Sequence, residues 1–381
     1  MSQPMFSEPL HVGRPNLGDR ERFHELVDSA WDRRWLTAGP LGEEFEERLA
    51  AVTGTRYCVA VCNATVGMQI AVRALGVGPG DEVIVPSFTW VATAHALSWI
   101  GVVPVFCDID PDTANADPAH VAQLITPRTR AILPVHVFGR PCDVDGLAAV
   151  ADRHGIPVVY DAAHGLGSTI GGRPLGGFGA AEVLSFHATK FVNSFEGGAI
   201  VTNDEALART ARAMRNFGIG EDREVGSVGT NGKLNEGAAA MGLASLEVME
   251  SIIDANRTNY EQYDKELDGV SAVRLRPGTT GDERSNLQYV VVEIDERVSG
   301  VDRDDVHDAL LRENVLSRRY FHPCCHETEP YRRAPEVHAP LPLPHSEALS
   351  RRVLALPTGT AIGAAEISGI CQIIRRTVQA R

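Results

Sequence analysis

The stretch AEVLSFHATKFVNSFEGGAIVTN, residues 181–203, holds two strand-like runs with no room for a helix between them. Five earlier runs alternate with helix-like stretches at 65–76, 89–100, 117–125 and 143–154. These five runs are YCVAV (57–61), DEVIVP (81–86), VVPVFCDI (102–109), RAILPVHV (130–137) and PVVYDAA (157–163). Such alternation predicts an α/β fold, a mainly parallel sheet with helices on both faces. Residues 181–203 then predict an antiparallel departure within that sheet.

A smaller domain is expected after the sheet. Apolar residues recur at helical spacing from 236 to 266, which predicts one long helix leading out of the sheet domain. A strand at 286–294, a helix near 303–313 and a C-terminal helix from about 364 follow. We therefore expect a large domain over residues 1–250, including an N-terminal arm, and a small α+β domain over residues 251–381.

Composition excludes several classes of function. The net charge of -14 argues against a general nucleic-acid or anionic-membrane surface. No window approaches the roughly 18 apolar residues of a membrane span, and the first residues lack a signal-peptide pattern, so a cytoplasmic protein is expected. The seven cysteines form no paired C-x-x-C clusters. Even the adjacent Cys324 and Cys325 match no zinc spacing, so no metal site is expected.

Ligands of open α/β sheets bind at the carboxyl ends of the strands. After the first strand, CNATVG opens a helix near Thr65, where free N–H groups can seat a phosphate. Asn63 or Thr65 could instead act as a simple N-cap. After the second strand come Phe88 and Trp90, which suit either stacking on a flat ligand or core packing.

The strand PVVYDAA ends in Asp161, with His164 three residues on. A carboxylate that follows four apolar residues is costly to bury without a cationic or hydrogen-bonded partner. A protonated pyridine nitrogen would be such a partner. The rival interpretation, a catalytic or metal-binding aspartate, lacks a second carboxylate or histidine at a spacing that completes either site.

Lys190 lies between the two strands of residues 181–203. The chain has only two other lysines, Lys233 and Lys265, and its remaining basic residues are arginine. A lysine retained in such a chain suggests a task that guanidinium cannot perform, namely losing its proton and attacking a carbonyl as a free amine. The alternative, a plain surface cation, fits poorly with this bias.

Further polar groups surround that lysine in the sequence. Ser185 is another candidate phosphate donor at a strand end, and His187 and Thr189 belong to the same turn. Taken together, a phosphate seat, a flat ring, a carboxylate for a ring nitrogen and an amine for an aldehyde describe one ligand, pyridoxal 5′-phosphate (PLP).

The sequence resembles the nucleotide-sugar aminotransferases of the DegT/StrS group, which are fold-type I PLP enzymes. The likeness runs through most of the chain, in these motifs: RRWLTAGPLGEEFEERLAAVTG, ALGVGPGDEVIVPSFTWVATAHAL, PVFCDIDPDT, ITPRTRAILPVHVFGRPCDVDGLAAVADRHGIPVVYDAAHGLGS, SFHATK, GTNGKLNEGAAAMGL and SRRYFHPCCHETEPYRR. The family's usual NSGT turn reads CNAT here.

The resemblance implies a role for each matching residue. Lys190 would be the Schiff-base lysine, and Asp161 would pair with the pyridine nitrogen. The remaining cofactor contacts would be Ala64, Thr65 and Ser185 at the phosphate, Trp90 on the ring face and His164 beside the ring. Asn231 would reach the partner subunit's phosphate site, which implies a homodimer with shared active sites.

The resemblance also implies the reaction. L-Glutamate would give its amino group to a keto-sugar nucleotide, with PLP cycling through pyridoxamine phosphate. The acceptor contacts implied are Thr37, His187, Lys233, Arg319, Tyr320 and His322. The loop RRYFHP (318–323) could also be an ordinary surface loop. The pattern is most similar to 4-aminotransferases acting on dTDP-4-keto-6-deoxyhexoses in antibiotic sugar pathways, which yield 4-amino-4,6-dideoxy sugars.

Other functions stay open at the level of sequence. A 3-keto-sugar aminotransferase and an aminocyclitol (inosose) aminotransferase are the nearest alternatives. A PLP-dependent sugar dehydratase of this family would carry histidine in place of Lys190, and a regulatory homologue would be catalytically idle. A nicotinamide oxidoreductase would need a G-x-G-x-x-G after the first strand, which this chain lacks.

Overall fold

The protein is described from a computed structural model over residues 3–278 and 283–379. The strands are β1 (Leu10–His11), β2 (Tyr57–Val61), β3 (Glu82–Pro86), β4 (Val103–Cys107), β5 (Thr129–Ile132), β6 (Val159–Asp161), β7 (Thr169–Ile170), β8 (Arg173–Pro174), β9 (Ala181–Ser185), β10 (Gly198–Thr202), β11 (Val273–Leu275), β12 (Val290–Ile294), β13 (Val315–Leu316) and β14 (Val353–Leu356). Each strand-like run expected from the sequence contains a strand, and the largest difference is at 130–137, where β5 spans only Thr129–Ile132.

Helices separate most of these strands. They are α1 (Arg20–Arg33), α2 (Pro40–Thr53), α3 (Ala64–Ala74), α4 (Ala92–Trp99), α5 (Pro118–Leu124), α6 (Val144–His154), α7 (Glu205–Arg215), α8 (Glu236–Glu247), α9 (Met249–Leu267), α10 (Glu296–Ser299), α11 (Arg303–Arg312), α12 (Glu329–Arg332), α13 (Pro335–His338), α14 (Pro344–Arg352) and α15 (Ala364–Gln379).

The large sheet is assembled from two hydrogen-bonded sets of strands. One set has the order β4-β3-β5 and the other the order β6-β9-β10-β2. Parallel bridges from Ile132 to Val158 and from Val135 to Asp161 join the two sets. β10 runs antiparallel to both β9 and β2, whereas β3, β4 and β5, and likewise β6 and β9, pair in parallel. The antiparallel departure predicted for residues 181–203 is therefore confirmed.

Both faces of this sheet are covered by helices, as predicted. Along β2, Val59 and Val61 pack in a cluster with residues of α3 and α4, while Cys58 and Ala60 pack in another with residues of α2 and α8. Alternate residues of one strand thus serve opposite cores, as expected for a strand buried on both sides.

The expectation of one long helix over 236–266 is wrong, because the helix is broken. Val248, at φ −108° and ψ 8°, separates α8 from α9. α8 is buried along most of its length and packs against α1 and α2, whereas α9 packs against α15 and buries one stripe. A turn at Val248 lets each helix follow its own neighbours, which periodicity alone does not reveal.

The C-terminal residues form a second packed unit. The antiparallel sheet β11-β12-β14 shares one apolar cluster with side chains of α9, α11 and α15. β1 pairs in parallel with β13, and Leu10 packs into the same cluster. The N-terminal arm therefore lies on the C-terminal unit. Over the described residues, no helix has both the length and the hydropathy needed to cross a membrane.

One buried carboxylate links α8 to the start of α2. Glu236 is fully buried and accepts hydrogen bonds from the backbone N–H groups of Gly39, Leu41 and Gly42, at 2.9 to 3.1 Å. Gly39 offers no side chain to cap α2. An anion at a helix N-terminus satisfies donors that have no intrahelical partner and interacts favourably with the helix dipole.

We expect Glu236→Gln to lower the free energy of unfolding by about 2 to 3 kcal/mol, because an amide cannot accept all three N–H groups without turning a donor toward them. Urea unfolding at fixed protein concentration measures the change. Asp254→Asn, which alters an exposed carboxylate on α9, is the matched control and should change the midpoint little. Equal midpoints for the two variants would contradict a capping role for Glu236.

Candidate active site

A cavity of about 270 Å³ opens at the carboxyl ends of the large sheet. Many of the residues predicted from the sequence line it, in this set: Ala64, Thr65, Trp90, Asp161, His164, Ser185, His187, Lys190 and Tyr320. They come from turns after β2, β3, β6 and β9 and from the loop that follows β13. The sheet topology thus brings together in one cavity residues that are far apart in the sequence.

Asp161 ends β6 and is buried, with 5% of its surface exposed. Oδ2 accepts a hydrogen bond from the Thr93 hydroxyl at 2.8 Å, and Oδ1 accepts one from the backbone N–H of Ala163 at 3.0 Å. Burial raises the pKa of this carboxyl group, while the two hydrogen bonds and the charge of Lys190 oppose that rise. Asp161 therefore still has room for a cationic N–H partner within the cavity.

Lys190 lies in the turn between β9 and β10, and its side chain points into the cavity. Burial among the cavity walls lowers the pKa of its amine from 10.5 to about 8, although Asp161 and Tyr320 favour the charged form. An amine with such a pKa is partly neutral near pH 7 to 8, as a carbonyl-attacking lysine must be.

The phosphate end of the cavity is formed by the start of α3. Asn63 caps this helix by accepting from the N–H of Val66 at 2.9 Å. The first N–H groups of a helix have no intrahelical acceptor, and Ala64 and Thr65 line the cavity at this point. Gly198 lies directly behind, because a Cβ there would come within 2.6 Å of the Ala64 nitrogen. Asn63 is thus the N-cap, and the helix start remains available to an anion.

These groups fit PLP. The helix start suits the phosphate, Asp161 suits a protonated pyridine nitrogen, and the Lys190 amine suits the aldehyde. Trp90, with 56% of its surface exposed, borders the cavity where it can cover a ring. Its own ring lies edge-on to Tyr320, with centroids 6.0 Å apart.

A second cavity of about 610 Å³ adjoins the first across Trp90 and Tyr320. Its lining includes Arg318, Arg319 and His322 from the loop after β13. The loop is fixed to the turn after β3, where the Ser87 hydroxyl hydrogen-bonds to Nδ1 of His326 at 2.7 Å. Basic side chains are therefore held beside the Lys190 cavity.

Three predicted contacts lie outside both cavities. Thr37 and Asn231 are exposed, and Lys233 donates from Nζ to Oδ1 of Asn231 at 2.6 Å. Within the described chain they do not meet Lys190 or Asp161. The resemblance implies a contact with a partner subunit's site for Asn231 and contacts with the acceptor for Thr37 and Lys233.

Two residues of the site escaped the sequence analysis. Thr93 holds Asp161, and its only signal was a hydroxyl three residues after Trp90. The hydroxyl oxygen of Tyr289 lies 3.4 Å from Nζ of Lys190. Because 99 residues separate Tyr289 from Lys190 in the sequence, no local pattern connects them. Among the described residues, no group of three His, Cys, Asp or Glu side chains is arranged to hold a metal ion.

We expect Lys190 in ligand-free protein to be acylated with a half-maximal rate near pH 8, because the neutral fraction of its amine rises through the lowered pKa of about 8. Brief treatment with acetic anhydride across a pH series, followed by peptide mass spectrometry, measures this. Lys265, exposed on α9, reports reagent reactivity in the same samples. A Lys190 rate that keeps rising to about pH 10 would show an amine with the ordinary pKa of a solvated lysine.

The whole chain matches known proteins. The model of the DegT/DnrJ/EryC1/StrS aminotransferase family matches residues 18–375. The chain is similar to dTDP-4-amino-4,6-dideoxy-D-glucose transaminase of Shigella dysenteriae, with 36% identity over 375 residues, 97% of this chain and 99% of that protein.

Solved structures of aminotransferases also match the fold of this chain. The crystal structure of DesI in the presence of its TDP-sugar product matches with a TM-score of 0.94 and 50% identity, over 99% of this chain and 95% of that chain. The aminotransferase TlmJ from Streptoalloteichus hindustanus matches with a TM-score of 0.89 and 30% identity, over 97% and 99%. The family, the fold class and the cofactor predicted from the sequence are confirmed. The chain belongs to the DegT/DnrJ/EryC1/StrS aminotransferase family and is a PLP-dependent sugar aminotransferase.

Proposed function

We propose that the enzyme transfers the amino group of L-glutamate to carbon 4 of a dTDP-4-keto-6-deoxyhexose, giving a 4-amino-4,6-dideoxy sugar. The observation that carries this proposal is the basic cavity beside Trp90, which opens next to the Lys190 cavity and suits an anionic nucleotide. The similarity to a dTDP-4-amino-4,6-dideoxy-D-glucose transaminase and to DesI supports the choice of sugar.

When bound, PLP supplies a protonated pyridine ring that withdraws electrons from the reacting carbon. Asp161 would keep that ring nitrogen protonated by accepting its hydrogen bond, and the bonds from Thr93 and Ala163 fix the direction of the carboxylate. Lys190 takes and returns a proton as its amine changes between neutral and charged forms. The start of α3 and Ser185 would hold the phosphate, and His164 would lie beside the ring.

The acceptor is proposed to lie across Trp90. Arg319 is oriented by an ion pair with Asp304 at 3.1 Å, and 45% of its side chain is exposed. Arg319 and His322 line a cavity wide enough for more than a sugar ring. A diphosphate held there leaves the sugar at Tyr320 and His187, at the entrance to the Lys190 cavity.

We expect the purified enzyme to lose the visible absorbance of lysine-bound PLP on addition of L-glutamate, and to aminate dTDP-4-keto-6-deoxyglucose at carbon 4. Incubation with ¹⁵N-glutamate followed by NMR identifies the carbon that gains nitrogen. Lys190→Arg should keep the fold and lose all turnover, because guanidinium stays protonated.

Each alternative gives a different outcome in that experiment. Nitrogen on carbon 3, or on an inosose offered in parallel, would identify one of the other two aminotransferases. Sugar conversion without glutamate consumption would indicate a dehydratase. An unchanged spectrum with every amino donor would contradict transamination and favour a regulatory homologue.

The homodimer is part of the same proposal. Asn231 and Lys233 lie on a face with exposed large apolar residues, which are Trp35, Leu36, Phe217, Val225 and Val228. These segments adjoin, since Thr37 bridges Asn235 and Nζ of Lys233 lies 4.5 Å from the Phe217 ring centroid. Exposed apolar residues beside functional polar groups suit a subunit interface. Since the cysteines are all free, we also place the enzyme in the reducing cytoplasm.

We expect mixtures of Lys190→Ala and Asn231→Ala enzymes, each nearly inactive alone, to regain activity after subunit exchange. In a mixed dimer, one of the two sites combines an intact Lys190 from one chain with an intact Asn231 from the other, and the second site lacks both. About half of the randomly formed dimers are mixed, so about a quarter of all sites become active. Turnover before and after mild dissociation and reassociation measures this. Mixing two Lys190→Ala samples is the control. No recovery despite verified exchange would contradict shared sites.

A further inference from the structure

Tyr289 precedes β12 in the C-terminal unit and reaches into the cavity of the large sheet. Its hydroxyl oxygen lies 3.4 Å from Nζ of Lys190 and 3.3 Å from Nε2 of His164. Burial raises the pKa of this phenol, so Tyr289 keeps its proton near neutral pH. It is therefore a neutral hydroxyl placed directly at the reacting amine.

The tautomer of His164 fixes the direction of one of these bonds. Nδ1 of His164 accepts the backbone N–H of Phe138 at 3.3 Å, so Nδ1 carries no proton. Burial, with a smaller effect from the charge of Lys190, lowers the pKa of His164 well below its usual range and keeps the ring neutral. The single ring proton is therefore on Nε2, which donates to the Tyr289 oxygen.

The hydrogen bonds at the Tyr289 oxygen determine where its own O–H can donate. A hydroxyl has two lone pairs and one proton. When Lys190 is charged, both it and His164 donate to the Tyr289 oxygen, so both lone pairs are occupied. Over the described residues these two groups are its hydrogen-bond partners. The O–H is thus left to donate to a third group inside the cavity.

We propose that Tyr289 is a further catalytic residue, whose oxygen holds the Lys190 amine and whose proton is donated to an oxygen atom of the bound ligand next to that amine. Two sources can supply such an oxygen, namely the phenolic oxygen of the cofactor ring or the keto oxygen of the sugar. The sugar source rests on the acceptor proposed above, whereas the contact with Lys190 does not. Tyr289→Phe removes both hydrogen bonds and keeps the ring that packs against Tyr320 and Phe138.

The first test uses ligand-free protein and needs no activity. We expect Tyr289→Phe to shift the half-point of Lys190 acylation downward by about half a unit to one unit, because an ammonium loses a charge-assisted bond that a neutral amine needs less. Tyr263→Phe removes a buried hydroxyl that donates to the Pro357 carbonyl and is the matched control. An unchanged half-point would overturn the contact with Lys190.

The second test separates the two ligand oxygens. If the cofactor oxygen is the acceptor, Tyr289→Phe will shift the visible spectrum of PLP-loaded enzyme and its pH titration before any substrate is added. If the sugar oxygen is the acceptor, that spectrum stays unchanged, the glutamate half-reaction stays within about threefold, and the sugar half-reaction slows about 10- to 100-fold. Unchanged spectrum and unchanged half-reactions would overturn the ligand bond. Because wild-type enzyme runs in parallel, failure of the proposed acceptor would appear there first.

Discussion

A lysine amine and an aspartate carboxylate line one cavity at the end of the large sheet, and the rest of the site depends on that constraint. Burial disfavours both charges, so the pKa of Lys190 falls and that of Asp161 rises, while their mutual attraction limits each shift. Thr93 and Ala163 add hydrogen bonds that keep Asp161 an acceptor. The amine is therefore partly uncharged near pH 8, while the carboxylate can still stabilise a ring cation.

The sheet topology supplies this pairing. β6 and β9 are parallel neighbours, so Asp161 at the end of one and Ser185 at the end of the other emerge at the same edge. The chain then returns at once through antiparallel β10, so the turn that carries Lys190 is anchored at both ends. The N-terminal arm also contacts this turn, since a Cβ on Gly13 would lie 3.0 Å from Cβ of Thr189. β9, β10 and the N-terminal arm thus restrict the position of the Lys190 amine.

The site residues at strand ends could be predicted from the sequence because their positions follow from the sheet topology. Asp161, Ser185 and Lys190 each follow an apolar strand, and parallel strands place their carboxyl ends together. Tyr289 could not be found in this way, because it comes from a separate unit whose orientation depends on packing between β12, α9 and α15. The helix break at Val248 could not be predicted for a similar reason, since hydrophobic periodicity shows which residues are apolar but not which neighbours they contact. Thr37, Asn231 and Lys233 lie outside the two cavities of their own chain, so the topology of one chain does not bring them to Lys190.

The two cavities are lined mainly by different parts of the chain. The cofactor side is formed by strand ends of the large sheet, whose geometry is fixed by backbone pairing. The cavity beside Trp90 is formed mainly by the loop after β13, held to the sheet through the contact of Ser87 with His326. Tyr320 lines both cavities and is therefore where the loop meets the Lys190 cavity.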